Sequence, residues 1–378
     1  MNPAKPSLEL LRSLTDEHVL TALMRHRRMT RAELAIETGL SKPTMGESVR
    51  RLTDAGVVAD TGERSVGGRG RGRVASYYAL ADDVGVALAV SIAPEGIVAE
   101  CVDAYGDNLA RAEQKIDRPA QPDAVAVAVN AAVKRAGRQA ARPARLAVVS
   151  AAGPVERATA RLIKVPDQHF PLGELNPADL LASQVSGPIV VDNDVNWAAQ
   201  AERDHHHDLR DFAYVFLGEG LGCAVVSDGQ IRQGYAGTAG EISHLITIGP
   251  DGRATRLIDI FGDLGLRQTD STAIDVDRLL TEATDEQAGA VVRQALGQAM
   301  SGVLAAIVAL TDPETVIIGG PWGSHPVILD AITAAATHLP RPVPIRAAEL
   351  TTEASLVGAR IDALARLRKS IITTAHEF

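Results

Sequence analysis

Apolar side chains recur at helical spacing in three short stretches near the start of the chain. The first stretch follows Thr15, a residue type that suits a helix cap, with two acidic residues after it. The second begins at Thr30, with a glutamate at capping-box spacing, and ends at Gly39. The third, residues 42–55, follows another capping residue type, Ser41. Three short helices with a tight turn before the last predict a helix-turn-helix.

The third predicted helix has one apolar face and one polar face. Met45, Val49 and Leu52 form the apolar face, which would anchor on the other two helices. Small polar and basic side chains on the opposite face suit base edges in the major groove of DNA. The predicted DNA-contacting residues are Ser41, Lys42, Thr44, Glu47, Ser48 and Arg51. A small helical bundle with a solvated polar face is the alternative interpretation.

Gly46 interrupts this helix with a residue that costs about 1 kcal/mol relative to alanine. We interpret that loss as tolerable if it lets the helix backbone approach another surface closely. Two strand-like stretches, residues 56–58 and 74–80, then enclose a loop of glycines and arginines, as in a wing. Arginine is attracted to a narrow, strongly negative minor groove. The predicted wing contacts are Arg69, Gly70, Arg71 and Arg73, unless the loop is only a solvated linker.

From residue 82 onward, strand-like apolar runs alternate with alanine-rich helical stretches. The runs are residues 85–92, 97–102, 146–150, 189–191, 213–217, 223–226 and 315–318. This alternation predicts an α/β fold. We therefore expect a DNA-binding domain over residues 1–80 and a larger domain over residues 81–378.

Composition and charge restrict the classes of function. Aromatic residues make up only 3% of the 378 residues, which argues against single-strand nucleic-acid binding. Residues 1–80 hold 13 lysines and arginines against 9 acidic residues, while the remainder holds 25 against 38, so only the first part favours a polyanion. We expect a cytoplasmic protein without membrane contact, because no apolar run approaches the roughly 20 residues of a membrane span. Cys101 and Cys223 lie in apolar strand-like stretches and are expected to be buried free thiols.

Residues 217–244 resemble the signature segment of the ROK family, which comprises repressors, open reading frames and sugar kinases. Supporting matches lie at residues 152–155, 192–196, 312–320 and 356–359. ROK repressors also begin with a winged helix-turn-helix, so the resemblance covers nearly the whole chain. It implies an α/β chain with an actin-like, ribonuclease-H-like domain of two lobes around a sugar cleft. The lobes would be about residues 81–190 with the C-terminal helix, and about residues 191–350.

The resemblance also implies which residues line the cleft. In ROK kinases the aspartate that matches Asp194 is the base that deprotonates a sugar hydroxyl, and other matching residues hold sugar hydroxyls. Carboxylates and amides suit that role because they form paired hydrogen bonds to vicinal hydroxyls. The implied effector-binding residues are Gly153, Asn193, Asp194, Glu241 and His244. Without the family, Asn193 and Asp194 would be a turn after a strand, and Glu241 with His244 a pair on a helix face.

The chain departs from the kinase members at both phosphate loops. The positions of the Asp-x-Gly-x-Thr turn are occupied by residues Ser91 to Glu95, and none of the diagnostic types is present. In the second loop, Glu219 stands where threonine is usual. Carboxylates repel a triphosphate, so we expect no enzyme activity, no catalytic residue and no cofactor.

The family's zinc site is also absent from the sequence. It needs three cysteines shortly after the histidine matching His244, and residues 252–259 contain none. One histidine does not complete a tetrahedral site, so no metal is expected. The run His205, His206 and His207 lies in a polar stretch and is expected to be solvated rather than a replacement set of ligands.

We therefore expect a ROK-type transcription regulator, a repressor, that binds double-stranded operator DNA and responds to a sugar or sugar derivative. Paired recognition helices read a palindrome, so a homodimer or homotetramer is expected. Two alternatives stay open. One is an active sugar kinase with an accessory DNA-binding domain, and the other is a constitutive DNA-binding protein whose larger domain only oligomerises.

Overall fold

A computed structural model describes residues 8–65, 74–166, 169–171, 173–287 and 289–375. The N-terminal part is a winged helix-turn-helix of three helices and a small antiparallel sheet in the order β1-β3-β2. Its elements are α1 (Leu8–His26), β1 (Arg28–Thr30), α2 (Arg31–Thr38), α3 (Lys42–Asp54), β2 (Val58–Arg64) and β3 (Ser76–Leu80).

Two of the three predicted helix starts are confirmed. Thr30 caps α2 in a capping box, because its hydroxyl accepts from the Glu33 N–H at 3.2 Å while its own N–H donates to the Glu33 carboxylate at 2.7 Å. Gly39 ends this helix in the left-handed region with φ 68°. Ser41 caps α3 by accepting from the backbone N–H of Thr44 at 3.3 Å.

The predicted cap at Thr15 is wrong. Helix α1 already begins at Leu8, so Thr15 lies within it. Its hydroxyl donates to the carbonyl of Leu11 at 2.8 Å, the bond one turn back by which a threonine fits a helix interior. The leucines that precede Thr15 belong to the same helix, which therefore begins before the predicted cap.

The next part forms a lobe around a mixed five-stranded sheet in the order β6-β5-β4-β7-β8. Strands β4, β5 and β6 pair antiparallel, whereas β4, β7 and β8 pair parallel. Its elements are β4 (Val86–Ala93), β5 (Gly96–Val102), β6 (Asn108–Gln114), α4 (Pro122–Ala140), β7 (Ala144–Ala151), α5 (Pro177–Leu181), β8 (Ile189–Asn193) and α6 (Asp194–His205).

The second lobe contains a five-stranded sheet in the order β11-β10-β9-β14-β15 and a separate hairpin, β12-β13. Its elements are β9 (Phe212–Leu217), β10 (Leu221–Ser227), β11 (Gln230–Ile231), β12 (Ile246–Ile248), β13 (Ala254–Arg256), α7 (Leu257–Asp263), α8 (Val276–Thr284), α9 (Gly289–Thr311), β14 (Thr315–Gly319), α10 (Pro326–Ala336) and β15 (Ile345–Ala347). The C-terminal helix α11 (Ala354–Ala375) returns to pack on α6, β4 and β7 of the first lobe. All seven predicted strand-like runs are strands, and Cys101 and Cys223 are buried free thiols.

Helix α9 is a long helix rich in apolar residues. Within the described part of the chain it is the one helix long and apolar enough to cross a membrane by length and composition. Half of its most apolar window is buried, and Leu296, Met300 and Leu304 lie in the core of the second lobe. Alanines and valines on its other positions raise its mean hydropathy, so that a partly buried core helix reaches the length and composition of a membrane span.

The winged helix-turn-helix shares a continuous hydrophobic core with the first lobe and α11. Two polar contacts reinforce this junction. Arg27 donates to both carboxylate oxygens of Asp107, at 2.5 and 2.7 Å, and the Tyr105 hydroxyl accepts from the backbone N–H of Leu80 at 3.1 Å. The shared core and these two polar contacts therefore join the winged helix-turn-helix to the first lobe.

Candidate functional site

The exposed face of α3 is the candidate DNA-reading surface. Ser41, Lys42, Thr44 and Glu47 are all exposed on or beside this helix. The carboxylate of Glu47 accepts from Arg50 at 2.8 Å, and that hydrogen bond lowers the pKa of Glu47. Glu47 is therefore an anion at neutral pH, suited to accept a hydrogen bond rather than to approach a phosphate.

Ser48 is a correction to the predicted set of DNA contacts. It is 0% exposed, and its hydroxyl donates to the carboxylate of Asp16 on α1. A side chain buried between two helices of the same domain does not reach a base edge. Helical spacing placed Ser48 on the polar face, because only the apolar residues of α3 were used to define the buried face. The spacing did not show that Asp16 of α1 packs against Ser48.

Arg51 holds the same aspartate from the other side. Its Nη2 donates to Asp16 Oδ1 at 2.7 Å and its Nε to Oδ2 at 3.2 Å. The side chains of Arg51 and Asp16 are 31% and 9% exposed. This geometry gives Arg51 a role in fixing α3 on α1, and leaves only part of its guanidinium free for DNA. Nothing local in the sequence pointed to Asp16, because the contact joins residues 35 positions apart.

The predicted wing contacts Arg69, Gly70, Arg71 and Arg73 lie outside the described residues. The stem of the hairpin that carries them is described. Strands β2 and β3 pair from Val58 with Leu80 to Arg64 with Ser76, and the Ser65 N–H donates to the Ala75 carbonyl at 2.9 Å.

A cavity of about 960 Å³ lies between the two lobes. The β4–β5 turn, the end of β7 and the start of α6 contribute to it from the first lobe. The β9–β10 turn and the segment before α11 line the other side. A concave space of this size between two lobes suits a small-molecule ligand.

Four of the five predicted effector residues line this cavity, namely Gly153, Asn193, Asp194 and Glu241. Asn193 caps α6, because its Oδ1 accepts from the Val195 N–H at 2.9 Å while its Nδ2 donates to the Gly153 carbonyl at 2.9 Å. These bonds orient the start of α6 and leave further donor and acceptor capacity on the amide. His244 ends a short 3₁₀ helix and is not among the described residues that line the cavity.

Two carboxyl groups of the cleft, Asp194 and Glu241, have raised pKa values. Burial raises the pKa of Asp194 to about 7, with a further contribution from the carboxylates of Glu95 and Glu241, although the Val195 N–H opposes the shift. Burial likewise raises the pKa of Glu241 to about 7. Groups with pKa values near neutrality can exchange protons with a bound hydroxyl or amine.

One arginine joins the two turns that correspond to the phosphate loops of the kinase members. Arg118 donates to both carboxylate oxygens of Glu219, at 2.8 and 2.7 Å, and to the carbonyl of Pro94 at 3.0 Å. Pro94 lies in the β4–β5 turn and Glu219 in the β9–β10 turn, so the guanidinium bridges the lobes. No pattern along the chain pointed to Arg118, which neutralises the carboxylate that was expected to repel phosphate. A triphosphate placed between these two turns would meet the Arg118–Glu219 ion pair.

The segment that lacks the zinc cysteines forms the β12–β13 hairpin and runs into α7. The hairpin is held on α9 because the buried hydroxyl of Thr247 donates to the Ala299 carbonyl at 2.6 Å. At the start of α7, the Asp259 carboxylate accepts from Arg256 at 2.7 and 2.9 Å and from Arg267 at 3.2 Å. Hydrogen bonds and the two ion pairs of Asp259 therefore organise this region.

The fold and cleft define a class of protein in which a winged helix-turn-helix is joined to a two-lobed sugar-kinase-type domain. The model of the ROK family matches residues 88–366, and a winged helix-turn-helix DNA-binding model matches residues 12–59. This chain belongs to the ROK family.

Relatives of both kinds resemble it. A ROK family transcriptional regulator, described as a homologue of the E. coli Mlc protein, superposes with a TM-score of 0.66 at 19% identity, over 97% of this chain and 100% of that one. The ROK hexokinase of Thermus thermophilus gives a TM-score of 0.55 at 25% identity, over 75% and 99% of the chains. N-acetylmannosamine kinase of Salmonella typhi is 28% identical over 208 residues, which is 51% of this chain and 69% of that protein.

Proposed function

We propose that this protein is a DNA-binding transcription regulator, a repressor, whose interlobe cleft takes a sugar or sugar derivative. The observation that carries the proposal is the α3 surface. Asp16 holds the helix from behind, while Ser41, Lys42 and Thr44 are exposed at its start. The start of a recognition helix is the part that contacts base edges in helix-turn-helix complexes.

A physical route connects the cleft to this surface. Residues 350–356 line the cavity and lead directly into α11. Helix α11 packs along α6 and also contacts α1 of the winged helix-turn-helix. Closure of the lobes on a ligand would shift α11 against α1, and so change the spacing of paired recognition helices in a homodimer or homotetramer.

The experiment is selection of bound sequences from a random duplex library by the full chain, followed by anisotropy titrations at several salt concentrations. Lys42→Ala is expected to weaken binding of the selected sequence about tenfold and to reduce the salt slope by about one. Lys134→Ala removes the same charge from the exposed face of α4 and is the matched control. Equal effects of the two substitutions, or the absence of any enriched sequence, would refute the proposal.

Effector binding is tested by thermal unfolding in the presence of sugars and sugar derivatives. A ligand that binds only the folded cleft raises the melting temperature. Glu241→Gln should reduce that rise, because Glu241 lines the cavity. If no compound of a broad panel shifts the transition, a constitutive DNA-binding protein is the better description.

A sugar kinase is the second candidate, favoured by the pKa of about 7 at Asp194 and by the kinase relative of Salmonella typhi. Coupled ATP turnover with N-acetylmannosamine and hexoses tests it. We expect no turnover, since the Arg118–Glu219 bridge occupies the phosphate-loop region. Saturable turnover that disappears in Asp194→Asn would establish the kinase instead.

A further inference from the structure

The C-terminal end of α6 meets the segment after β15 at a group of four histidine and glutamate side chains. His205 Nε2 lies 3.3 Å from Glu349 Oε2, and His206 Nε2 lies 3.7 Å from Glu349 Oε1. His206 Nε2 is also 3.7 Å from Glu202 Oε2. We call Glu202, His205, His206 and Glu349 the α6 cluster. It lies outside the interlobe cavity and away from residues 252–259, where the zinc cysteines are missing.

Glu202 is the most constrained member of the α6 cluster. Its side chain is 0% exposed, and one of its oxygens, Oε1, accepts from the Leu350 N–H at 2.9 Å. The other oxygen, Oε2, is buried and has no hydrogen-bond partner among the described residues, and the same is true of His206 Nε2. Their separation of 3.7 Å is too long for a hydrogen bond. Buried polar atoms without a partner are costly and call for an explanation.

We propose that three members of the α6 cluster, His205, His206 and Glu349, bind a divalent transition-metal ion, with Zn²⁺ as the best match, because their ligand atoms all lie within 4.8 Å of one another. Imidazole nitrogens and carboxylate oxygens are the ligands that zinc takes at about 2.0–2.2 Å. Two such ligands of a tetrahedral ion lie about 3.4 Å apart. The separations of 3.3 Å between His205 and Glu349 and of 3.7 Å between His206 and Glu349 agree with that spacing. An ion among these three residues would satisfy His206 Nε2, and Glu202 Oε2 lies beside it, 3.7 Å from that nitrogen.

This placement changes the interpretation of the histidine run. All three histidines were expected to be solvated, which is wrong for His206, whose side chain is 22% exposed and packs edge-on against His205. His207 is exposed and lines a separate shallow depression with Arg203 and Arg210. The run therefore provides two proposed ligands, His205 and His206, and a third histidine outside the site, His207, which serves as an internal control.

The ion would join two segments that also form the interlobe cleft. Helix α6 begins with Asp194, and the chain continues from Glu349 into residues 350–356, which line the cavity. Metal at the far end of α6 would therefore hold these two parts of the cleft in a fixed relation. Stabilisation of the folded chain by the ion is the expected consequence.

The test uses the untagged full chain, stripped with a chelator and titrated with Zn²⁺ against a chromogenic zinc indicator. We expect one high-affinity ion per chain. His206→Ala, and separately Glu349→Gln, should weaken zinc binding by at least about tenfold, which is the smallest loss of metal affinity typical of substitutions around a metal site. Glu349 is largely exposed, so its substitution leaves the core intact even if a variant at Glu202 does not fold. His207→Ala is the matched control and should bind as the unaltered chain does.

A second readout is thermal unfolding with and without Zn²⁺. The ion should raise the melting temperature of the unaltered chain and of His207→Ala, but not that of His206→Ala. Absence of tight zinc binding, or equal binding by His206→Ala and His207→Ala, would overturn the proposal. Either result would mean that no zinc ion satisfies His206 Nε2.

Discussion

The pairing of Asp16 with Arg51 makes a specific prediction about the DNA-reading helix. Arg51 lies on the face first expected to contact bases, yet its guanidinium donates twice to Asp16 on α1. Removing the side chain in Arg51→Ala should therefore loosen α3 in the free protein. A residue that only contacts DNA would leave the free protein unchanged.

The expected magnitude follows from the burial of the pair. Hydrogen bonds between charged groups contribute about 1.5–3 kcal/mol, and breaking a fully buried pair costs about 3–5 kcal/mol. Asp16 is nearly buried, but Arg51 is 31% exposed, and the hydroxyl of Ser48 stays on the carboxylate after the substitution. We therefore expect a local loss of about 1–3 kcal/mol, at the lower end of those ranges.

Hydrogen–deuterium exchange of α3 peptides in the full chain measures this loss directly. Since about 1.4 kcal/mol corresponds to a tenfold change in an opening equilibrium, the amides of α3 should exchange roughly 5- to 150-fold faster in Arg51→Ala. In a double-mutant cycle with Asp16→Asn, the second substitution should add little to the first. Arg50→Ala is the control, because Arg50 pairs with Glu47 and Asp54 at the surface and contributes little.

The reasoning is refuted if Arg51→Ala exchanges no faster than Arg50→Ala but binds operator DNA more weakly. Arg51 would then read DNA directly, and its pairing with Asp16 would contribute no stability. Faster exchange together with weaker binding supports the positioning role. Additive effects in the cycle would also contradict the proposed pairing.

Three further predictions concern the cleft and the glycine of α3. The raised pKa values of Asp194 and Glu241 mean that the folded chain binds more protons than the unfolded chain between about pH 4 and 7, so stability falls as pH rises through that window. Asp194→Asn should raise the melting temperature above pH 7 and have no effect below pH 4. The shift from 3.8 to about 7 sets an upper limit of about 4 kcal/mol, reduced to about 1–3 kcal/mol because the cleft admits water; a gain that is independent of pH would contradict this. Gly46→Ala should stabilise α3 by about 1 kcal/mol and so slow the exchange of its amides, since the added methyl group meets nothing within 4 Å. The same substitution should weaken DNA binding if the backbone approaches the groove. Unchanged exchange would refute the first expectation, and unchanged affinity the second. Arg118→Ala should not create ATP binding, because the Glu219 carboxylate that it releases repels phosphate; calorimetric detection of tight ATP binding by this variant would contradict that account.

Local features of the chain could be predicted because a few neighbouring residues decide them. The cap at Ser41, the capping box at Thr30 and the left-handed end at Gly39 each depend on contacts within about one helical turn. The strand-like runs were recognisable because burial of a sheet requires continuous apolar stretches. The cleft residues at Asn193 and Asp194 were identified by family resemblance, and the structure places them at the start of α6.

Tertiary structure alone decided the contacts that give these residues their roles. Ser48 belongs to the exposed face by helical spacing, and only the packing of α1 buries it on Asp16. Arg118 joins Glu219 across 101 positions, a pairing that no pattern along the chain records. Glu349 contacts His206 although the two residues are far apart along the chain, for the same reason. Caps and periodicity are short-range properties, whereas burial and the partners of charged groups depend on which distant segments the fold brings together.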